Sequence, residues 1–391
     1  MASKIALTIF FIFILLLVPS CLFPASNYED DIKKIEERRE SPITVEPTQT
    51  NEQEPEVVPD EPDVIIVKPP TPEPTPVPEQ TPVIDKPKFN MTEKNFAYFL
   101  NKDEDLLYIY NLNTSRITEE IELDSEPQEI ITDSDGEYAY IAVSGADKVE
   151  IFDLSKKDVI ETISTGDFPH GIVLDRRERR LIVATNNNEI QFYDIRDFDD
   201  IKKVREVDVE AEPQMLVTDY SGDWIYVSHP DDDFVSVIDM DDDSNETEPD
   251  SIIDTDVGVE GLVVSSSGKY LYTISQEEEF ITIYERDDNW DNKGDIELER
   301  RSQSKRGAFA PNGLLFVTNY NLDSVSIIDT DKDEIIETIK VGDKPTGITF
   351  NGNKAWIANY GSKVITIIDS ENFLTQNVTL PDSGVNSIAF G

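Results

Sequence analysis

The sequence predicts an all-β fold, a seven-bladed β-propeller, for residues 89–391. Gly, Asn, Asp and Pro residues separate short β-rich runs throughout this region, as is typical of strands joined by turns. One such run, which ends in an acidic or amide residue, recurs seven times with spacings of 42, 41, 45, 46, 44 and 40 residues. A period of about 40–45 residues with roughly four strands per unit is the usual sequence pattern of a propeller blade. The seven end residues are Asn111, Asp153, Asp194, Asp239, Glu285, Asp329 and Asp369.

The two ends of this array predict how the ring closes. The array begins at the second strand of a blade, near Phe96, and the chain ends with a β-rich run, 385–390, that matches an innermost strand. We therefore expect the C-terminal strand to complete the first blade. Ring closure of this kind removes the exposed sheet edges that an open array would leave.

The charge balance limits the classes of function. The chain has 34 basic and 81 acidic residues, and residues 96–391 alone carry 25 basic against 64 acidic residues, so the acidity belongs to the folded part. Nucleic-acid binding needs basic patches and is not expected here. With one cysteine and two histidines, the chain offers neither an intrachain disulfide nor a His- or Cys-based metal site, and we expect no metal and no cofactor.

The first residues predict export and anchoring. Lys4 precedes fourteen uncharged residues, 5–18, which is the pattern of a secretory signal peptide over residues 1–20. The segment Leu-Val-Pro-Ser-Cys that ends at Cys21 resembles a prokaryotic lipobox, which implies lipidation of Cys21. An uncleaved signal anchor is the alternative. Either anchor holds the protein at the membrane and outside the cytoplasm.

Two segments separate the anchor from the propeller. Residues 21–40 form an anchor region whose charged part, from Tyr28 to Glu40, suits a short helix. Residues 41–88 contain thirteen prolines, which exclude helix and sheet interiors, so a disordered polyproline-type stalk is expected. Recognition of the prolines as a peptide ligand is the alternative.

Several units resemble a known repeat family. The runs Phe316–Tyr320 and 324–329, together with 338–342 and 357–361, are similar to the YVTN-type propeller repeat. That family includes archaeal surface-layer propellers and other extracytoplasmic proteins. The resemblance covers about residues 96–391 and implies the propeller fold more strongly than any one function.

Seven polar positions predict a site at one mouth of the central channel. They follow the loop proline of each unit, or its equivalent, and precede similar apolar runs, so we expect them to share one register. Convergent polar groups in a concavity favour ligand binding. The alternative is a ring that only holds water, with Glu260 and Arg306 paired on adjacent blades. The seven positions are Gln128, His170, Gln214, Glu260, Arg306, Thr346 and Asn386.

Acidic loops are expected on the same face. They suit either capture of cations or basic partners, or simply a solvated rim. Two turns that begin at Asp239 and Asp329 resemble calcium loops, but both lack the glycine at the sixth position and the glutamate at the twelfth, so calcium is not expected. The acidic loops are 103–105, Asp147, 231–233, which follows His229, and 277–279.

These observations favour a monomeric binding or scaffolding module at the cell surface over an enzyme. The expected partner is a cell-envelope protein, a glycan or a small ligand. The sequence has no Gly-x-Ser-x-Gly nucleophile motif and no phosphate-binding glycine loop. The alternative is a lactonase- or cycloisomerase-like enzyme that uses His170, Glu260 and Arg306 at the channel mouth.

Overall fold

The computed structural model describes residues 94–391 except 176, 241–246 and 288. These residues belong to the second of two units, Gln80–Gly391. The predicted signal peptide, Cys21, the anchor region, the proline-rich segment and the first five residues of the predicted propeller lie outside the described residues. No helix in the described part is both long and apolar enough to cross a membrane.

Antiparallel strands build the described part almost entirely, in seven sheets of four strands each. The sheets are the blades, and we number them 1 to 7 in chain order. The strands of blades 1 to 3 are β1 (Phe96–Asn101), β2 (Leu106–Asn111) and β3 (Arg116–Glu122), then β4 (Pro127–Thr132), β5 (Tyr138–Val143), β6 (Lys148–Asp153) and β7 (Asp158–Ser164), then β8 (Pro169–Leu174), β9 (Arg180–Thr185), β10 (Glu189–Asp194) and β11 (Lys202–Asp208).

Blades 4 to 7 repeat this arrangement, and the last strand returns to blade 1. Within the described residues, three short 3-10 helices lie in loops, at Ser144–Ala146, Phe198–Asp200 and Tyr320–Leu322. The remaining strands are β12 (Leu216–Thr218), β13 (Trp224–Ser228), β14 (Phe234–Asp239) and β15 (Ser251–Asp254), then β16 (Val259–Val264), β17 (Tyr270–Ser275), β18 (Phe280–Arg286) and β19 (Trp290–Glu297), then β20 (Ser304–Phe309), β21 (Leu315–Asn319), β22 (Ser324–Asp329) and β23 (Glu334–Lys340), then β24 (Pro345–Asn351), β25 (Lys354–Asn359), β26 (Val364–Asp369), β27 (Thr375–Thr379) and β28 (Val385–Phe390).

The predicted ring closure is confirmed. Strand β28 pairs with β1 in register from Ala97↔Phe390 to Asn101↔Val385, which gives blade 1 the order β28-β1-β2-β3. Beyond the ladder, the backbone N–H and C=O of Phe96 bond to those of Gly391 at 3.1 and 3.2 Å. The seven-bladed propeller fold is therefore as the sequence predicts, and no edge remains between the first and last blades.

The innermost strand of each blade contacts those of its neighbours and so lines the central channel. The second and third strands are buried on both faces between adjacent blades, which explains their nearly continuous apolar runs. The outermost strands alternate instead, as in β3, where every second residue is exposed. Seven apolar clusters between blades form the core, and the cluster between blades 7 and 1 packs Trp356 against Phe99 and Phe390.

At five of the seven ends, the acidic or amide residue of the repeated run caps a turn in the described part of the chain. Asp153 Oδ1 accepts hydrogen bonds from the backbone N–H groups of Ser155 (3.0 Å) and Lys156 (2.9 Å). Asp369 Oδ1 likewise accepts from the N–H of Glu371 at 3.0 Å. Side chains of Asp and Asn favour such turns because they hydrogen-bond to backbone groups two or three residues ahead. The acidic residues by which the repeat is recognised in the sequence thus stabilise the turn between the third and fourth strands.

The propeller has two distinct faces. On the upper face the innermost strands begin and the second strands connect to the third strands. On the lower face the innermost strands end and the third strands turn into the fourth. Lys94, the first described residue, lies at the lower face, where its backbone N–H donates to Asn351 Oδ1 at 3.1 Å.

Candidate active site at the channel mouth

The predicted ring residues lie at the upper ends of the innermost strands, and all seven are partly buried. Six of them share a register. Gln128, Glu260 and Thr346 each occupy a bulge, because the pairing skips from Pro127 to Glu129, from Val259 to Gly261 and from Pro345 to Gly347. A bulge leaves the extra residue outside the ladder and turns its side chain away from the regular strand direction.

The register differs from the prediction at Arg306. In β20 the pairing partner of Asn319 is Ser304, which is the equivalent of Pro345 opposite Asn359 in β24. Lys305, the next residue, therefore holds the ring position, and Arg306 lies one residue further along the strand. The misalignment arose because β20 begins with serine and lacks the proline that marks the start of β4, β8 and β24.

The position of Arg306 forms a second tier, which the sequence reading missed. Three blades have glycine there, Gly171, Gly261 and Gly347, because the backbone of the neighbouring innermost strand lies against it. A Cβ on Gly347 would meet the Asn386 carbonyl oxygen at 2.6 Å. The recurrence of glycine in the sequence was the signal that could have identified this tier. Blade 2 has Glu129 at the same position.

Glu129 and Arg306 interact across the channel, since blades 2 and 6 are not neighbours. Burial raises the pKa of Glu129, whereas the Arg306 charge and a hydrogen bond from the Ile172 N–H to Oε2 (3.0 Å) lower it in part. The channel thus holds a carboxyl and a guanidinium one layer below the mouth.

His170 is the ionisable ring member on blade 3. Burial lowers its pKa below the ordinary value of 6.5, and the charges of Lys102 and Arg306 lower it further. The Asn186 side chain beside the ring opposes this shift in part. His170 is therefore a neutral imidazole at pH 7, placed in the field of two cations.

The mouth contains a cavity of about 360 Å³ between blades 5, 6, 7, 1 and 2. Its walls include three basic side chains and one acidic one in a chain of net charge −47. Gln214 and His170 do not line this cavity. The lining residues are Lys102, Gln128, Glu260, Gln276, Gln303, Lys305, Arg306, Tyr320, Thr346, Tyr360 and Asn386.

Glu260 pairs with Lys305, not with Arg306 as the alternative interpretation of the ring supposed. The Lys305 ammonium lies 2.6 Å from Glu260 Oε2 and 5.1 Å from the centre of the Tyr320 ring. Lys344 approaches the same ring at 5.7 Å. Lys305 neutralises Glu260, and Lys102 and Arg306 line the same cavity. This set of side chains therefore suits an anion or a polarised carbonyl group and does not fit a divalent metal ion.

The other acidic and histidine signals have structural explanations. The predicted acidic loops do lie on the upper face, and Asp103 accepts a hydrogen bond from the Tyr360 hydroxyl at 2.7 Å. His229 is fully buried, bonded to the Ala211 carbonyl oxygen (3.1 Å) and Ser236 Oγ (2.9 Å). Burial lowers its pKa to about 4.

The two turns that resemble calcium loops differ in how far the structure describes them. Asp329 caps its turn and pairs with Lys332 at 2.5 Å, while 241–246 of the other turn lie outside the described residues. Elsewhere, Glu189, Glu206 and Asp208 form a cluster of carboxylates on β10 and β11.

Comparison with known proteins adds one family match. The sequence profile described as Arylesterase matches residues 146–256, less than a third of the chain. This segment runs from the upper loop of blade 2 to blade 5 and includes His170 and Gln214. No curated protein matches the chain. The likeness to YVTN-type repeats stays a prediction.

Solved structures of similar fold cover the propeller. Hydrazine synthase from Kuenenia stuttgartiensis has a TM-score of 0.63 at 18% identity, with 75% of this chain and 99% of that chain covered. The periplasmic gluconolactonase of Pseudomonas aeruginosa has a TM-score of 0.61 at 15% identity, covering 75% and 98%. A structure described as a 6-phosphogluconolactonase from Bacteroides uniformis has a TM-score of 0.62 at 14% identity, covering 77% and 100%. At these identities the likeness concerns the fold.

Proposed function

We propose that the channel mouth hydrolyses an ester or a lactone. The observation that carries the proposal is the basic cavity at this mouth, lined by Lys102, Lys305 and Arg306, with the partly buried His170 on the neighbouring blade 3 and its pKa lowered by burial and by the charges of Lys102 and Arg306. A neutral imidazole accepts a proton at pH 7, and fixed cations stabilise an oxyanion. The arylesterase match over 146–256 and the lactonases among the structures of similar fold support the same class of reaction.

His170 acts as the general base in the proposed mechanism. Its imidazole takes a proton from a water molecule, and the water oxygen attacks the carbonyl carbon of the substrate. Arg306 and Lys102 stabilise the negative charge that forms on the carbonyl oxygen. When the ester C–O bond breaks, the leaving oxygen takes the proton from the imidazolium. One water is consumed, an acid and an alcohol form, and His170 is neutral again.

The basic residues at the mouth also favour a substrate with a negative charge. Lys102, Lys305 and Arg306 line one cavity, whereas most of the chain surface is acidic. In such a protein a basic pocket raises the local concentration of anions, whereas the concentration of a neutral ester rises less. Glu260 reduces this charge by one unit through its ion pair with Lys305.

The described part of the chain begins on the face opposite the channel mouth. Lys94 lies at the lower face, held by Asn351 and by the Ser134 carbonyl (2.5 Å from its ammonium). The channel mouth is on the upper face. Anchoring of the chain at Cys21 or through its signal segment stays part of the proposal.

The test is turnover of a panel of aryl esters and lactones, with and without a negative charge, by the purified protein. His170→Gln should lower kcat by about 100-fold or more, since a general base contributes on that order. Arg306→Gln should lower it by a similar factor through the lost oxyanion contact. Arg300→Gln removes an arginine that is 85% exposed and serves as the control, with activity unchanged.

The pH profile checks the role of His170 separately. Because its pKa lies below 6.5, kcat/KM should be level near pH 7 and fall as the pH drops through that pKa and protonates the base. Turnover that His170→Gln leaves unchanged would refute the enzymatic proposal. Binding of a panel compound without turnover, lost in Arg306→Gln, would restore the binding module that the sequence first favoured.

A further inference from the structure

A second cavity lies on the outside of the propeller, far from the channel mouth. It occupies the gap between blades 7 and 1 toward the lower face, beside Lys94, and has a volume of about 930 Å³. The connection between β2 and β3 forms one wall, and strands β25, β26 and β27 contribute the other. Its size falls at the upper end of ordinary small-ligand pockets, which measure roughly 300–1,000 Å³.

The charge of this cavity is opposite to that of the chain. Three basic residues, Lys94, Arg116 and Lys354, are among the 18 described residues that line it, and none of those 18 is Asp or Glu. With 81 acidic residues in 391, a set of that size would hold about four. Arg116 and Lys354 are exposed, so their charges reach a ligand directly. The cavity therefore attracts anions.

The uncharged lining adds hydroxyl-binding groups and an aromatic floor. Five carboxamide side chains line the cavity, among them Asn113 and Gln376. A carboxamide both donates and accepts hydrogen bonds, as a sugar hydroxyl does. Trp356 is 4% exposed at the floor, held edge-on by Tyr110 at 6.0 Å, and its buried indole N–H has no acceptor among the described residues. Buried donors are nearly always paired with an acceptor, so the Trp356 N–H is available to a hydrogen-bond acceptor on a ligand.

We propose that the cavity between blades 7 and 1 binds an acidic saccharide. Its carboxylate pairs with Arg116 and Lys354, and its hydroxyls bond to the carboxamides on the two walls. Arginine and lysine bind carboxylates through charge-assisted hydrogen bonds, which are about twice as strong as those between neutral groups. The site is separate from the channel mouth and does not depend on the hydrolytic activity proposed there.

The test is isothermal titration of the full chain with an oligogalacturonate, with a neutral galactose oligomer of equal length as the comparison. The acidic oligomer should bind, and the neutral one should bind at least tenfold more weakly. The double variant Arg116→Gln, Lys354→Gln should weaken binding of the acidic oligomer at least tenfold. Both side chains are exposed, so the fold should tolerate the change. The control Lys332→Gln removes an exposed lysine from a turn of blade 6 and should leave binding unchanged.

Three outcomes would overturn the proposal. One is the absence of binding by the acidic oligomer. Another is binding that the double variant does not weaken, which would place the ligand elsewhere. The third is equal or tighter binding of a glutamate-rich peptide of the same charge, which would make the cavity a site for acidic protein segments. Arg306→Gln should not change saccharide binding, and this separates the result from the test of the channel mouth.

Discussion

At the scale of single residues, the two histidines show how position decides role. His170 lies partly buried in the polar channel, where burial and the charges of Lys102 and Arg306 lower its pKa and keep it neutral. His229 sits in blade 4 with no exposure, and its two ring nitrogens bond to a carbonyl and a hydroxyl. Both lie near acidic loops in the sequence, but only His170 follows a loop proline at the predicted start of an innermost strand. The burial and the partners of each histidine then distinguish the candidate catalytic group from the structural one.

His229 should make stability depend on pH. Its folded pKa of about 4 lies below the ordinary 6.5, so the unfolded state binds a proton first as the pH falls. Its contribution to stability is complete above pH 6.5 and is lost as the pH drops through about 4, by about 3 kcal/mol in total. Urea unfolding of the wild type and of His229→Gln, measured across this range, should show a shallower pH dependence in the variant. Parallel curves would contradict the assignment.

At the scale of strands, the sequence was sufficient wherever a local rule repeats. The acidic or amide ends of the third strands predicted the blades because most of them cap a turn, as Asp153 and Asp369 do. The sequence was insufficient wherever a bulge sets the register. Lys305 and Arg306 could not be ordered without the pairing of β20 with β21, and Glu129 could not be placed opposite Arg306 without the closed ring. Contacts across a channel have no fixed spacing in sequence.

Strand β28 should matter more for stability than an outer strand of the neighbouring blade. Ile388 on β28 is 7% exposed and packs in the cluster between blades 7 and 1, while Thr379 on β27 is exposed. Ile388→Ala should lower the free energy of unfolding by about 2–4 kcal/mol, whereas Thr379→Ala should change it by about 0.5 kcal/mol or less. Denaturant unfolding of both variants checks this. Similar midpoints for the two would show that the ring closure contributes little.

At the scale of the whole molecule, charge shapes both solubility and stability. Residues 96–391 carry 25 basic and 64 acidic residues, and many of the ion pairs among the described residues are exposed, such as Lys202–Asp200. Exposed ion pairs contribute little to the free energy of unfolding, so they leave the self-repulsion of the acidic surface largely uncompensated. The basic channel mouth and the basic cavity between blades 7 and 1 are therefore local exceptions to the general field.

Salt should stabilise the protein because it screens this repulsion. Raising NaCl from about 0.01 M to about 1 M shortens the Debye length from about 30 Å to about 3 Å and screens the acidic surface. The melting temperature should rise by several degrees over this range. Sucrose at equal osmolality provides the control for excluded-solute effects, and a rise of the same size in sucrose would show that repulsion is not the cause.

The way the C-terminal strand completes blade 1 also has a mechanical consequence. Tension that reaches the propeller through residue 94 runs along β1, which lies inside its sheet between β2 and β28. A pull along such a strand loads the hydrogen bonds of both ladders together, in shear, whereas a pull across an edge strand breaks them one after another. Blade 1 therefore acts as a clamp, and the same seam that closes the ring resists a force applied at residue 94.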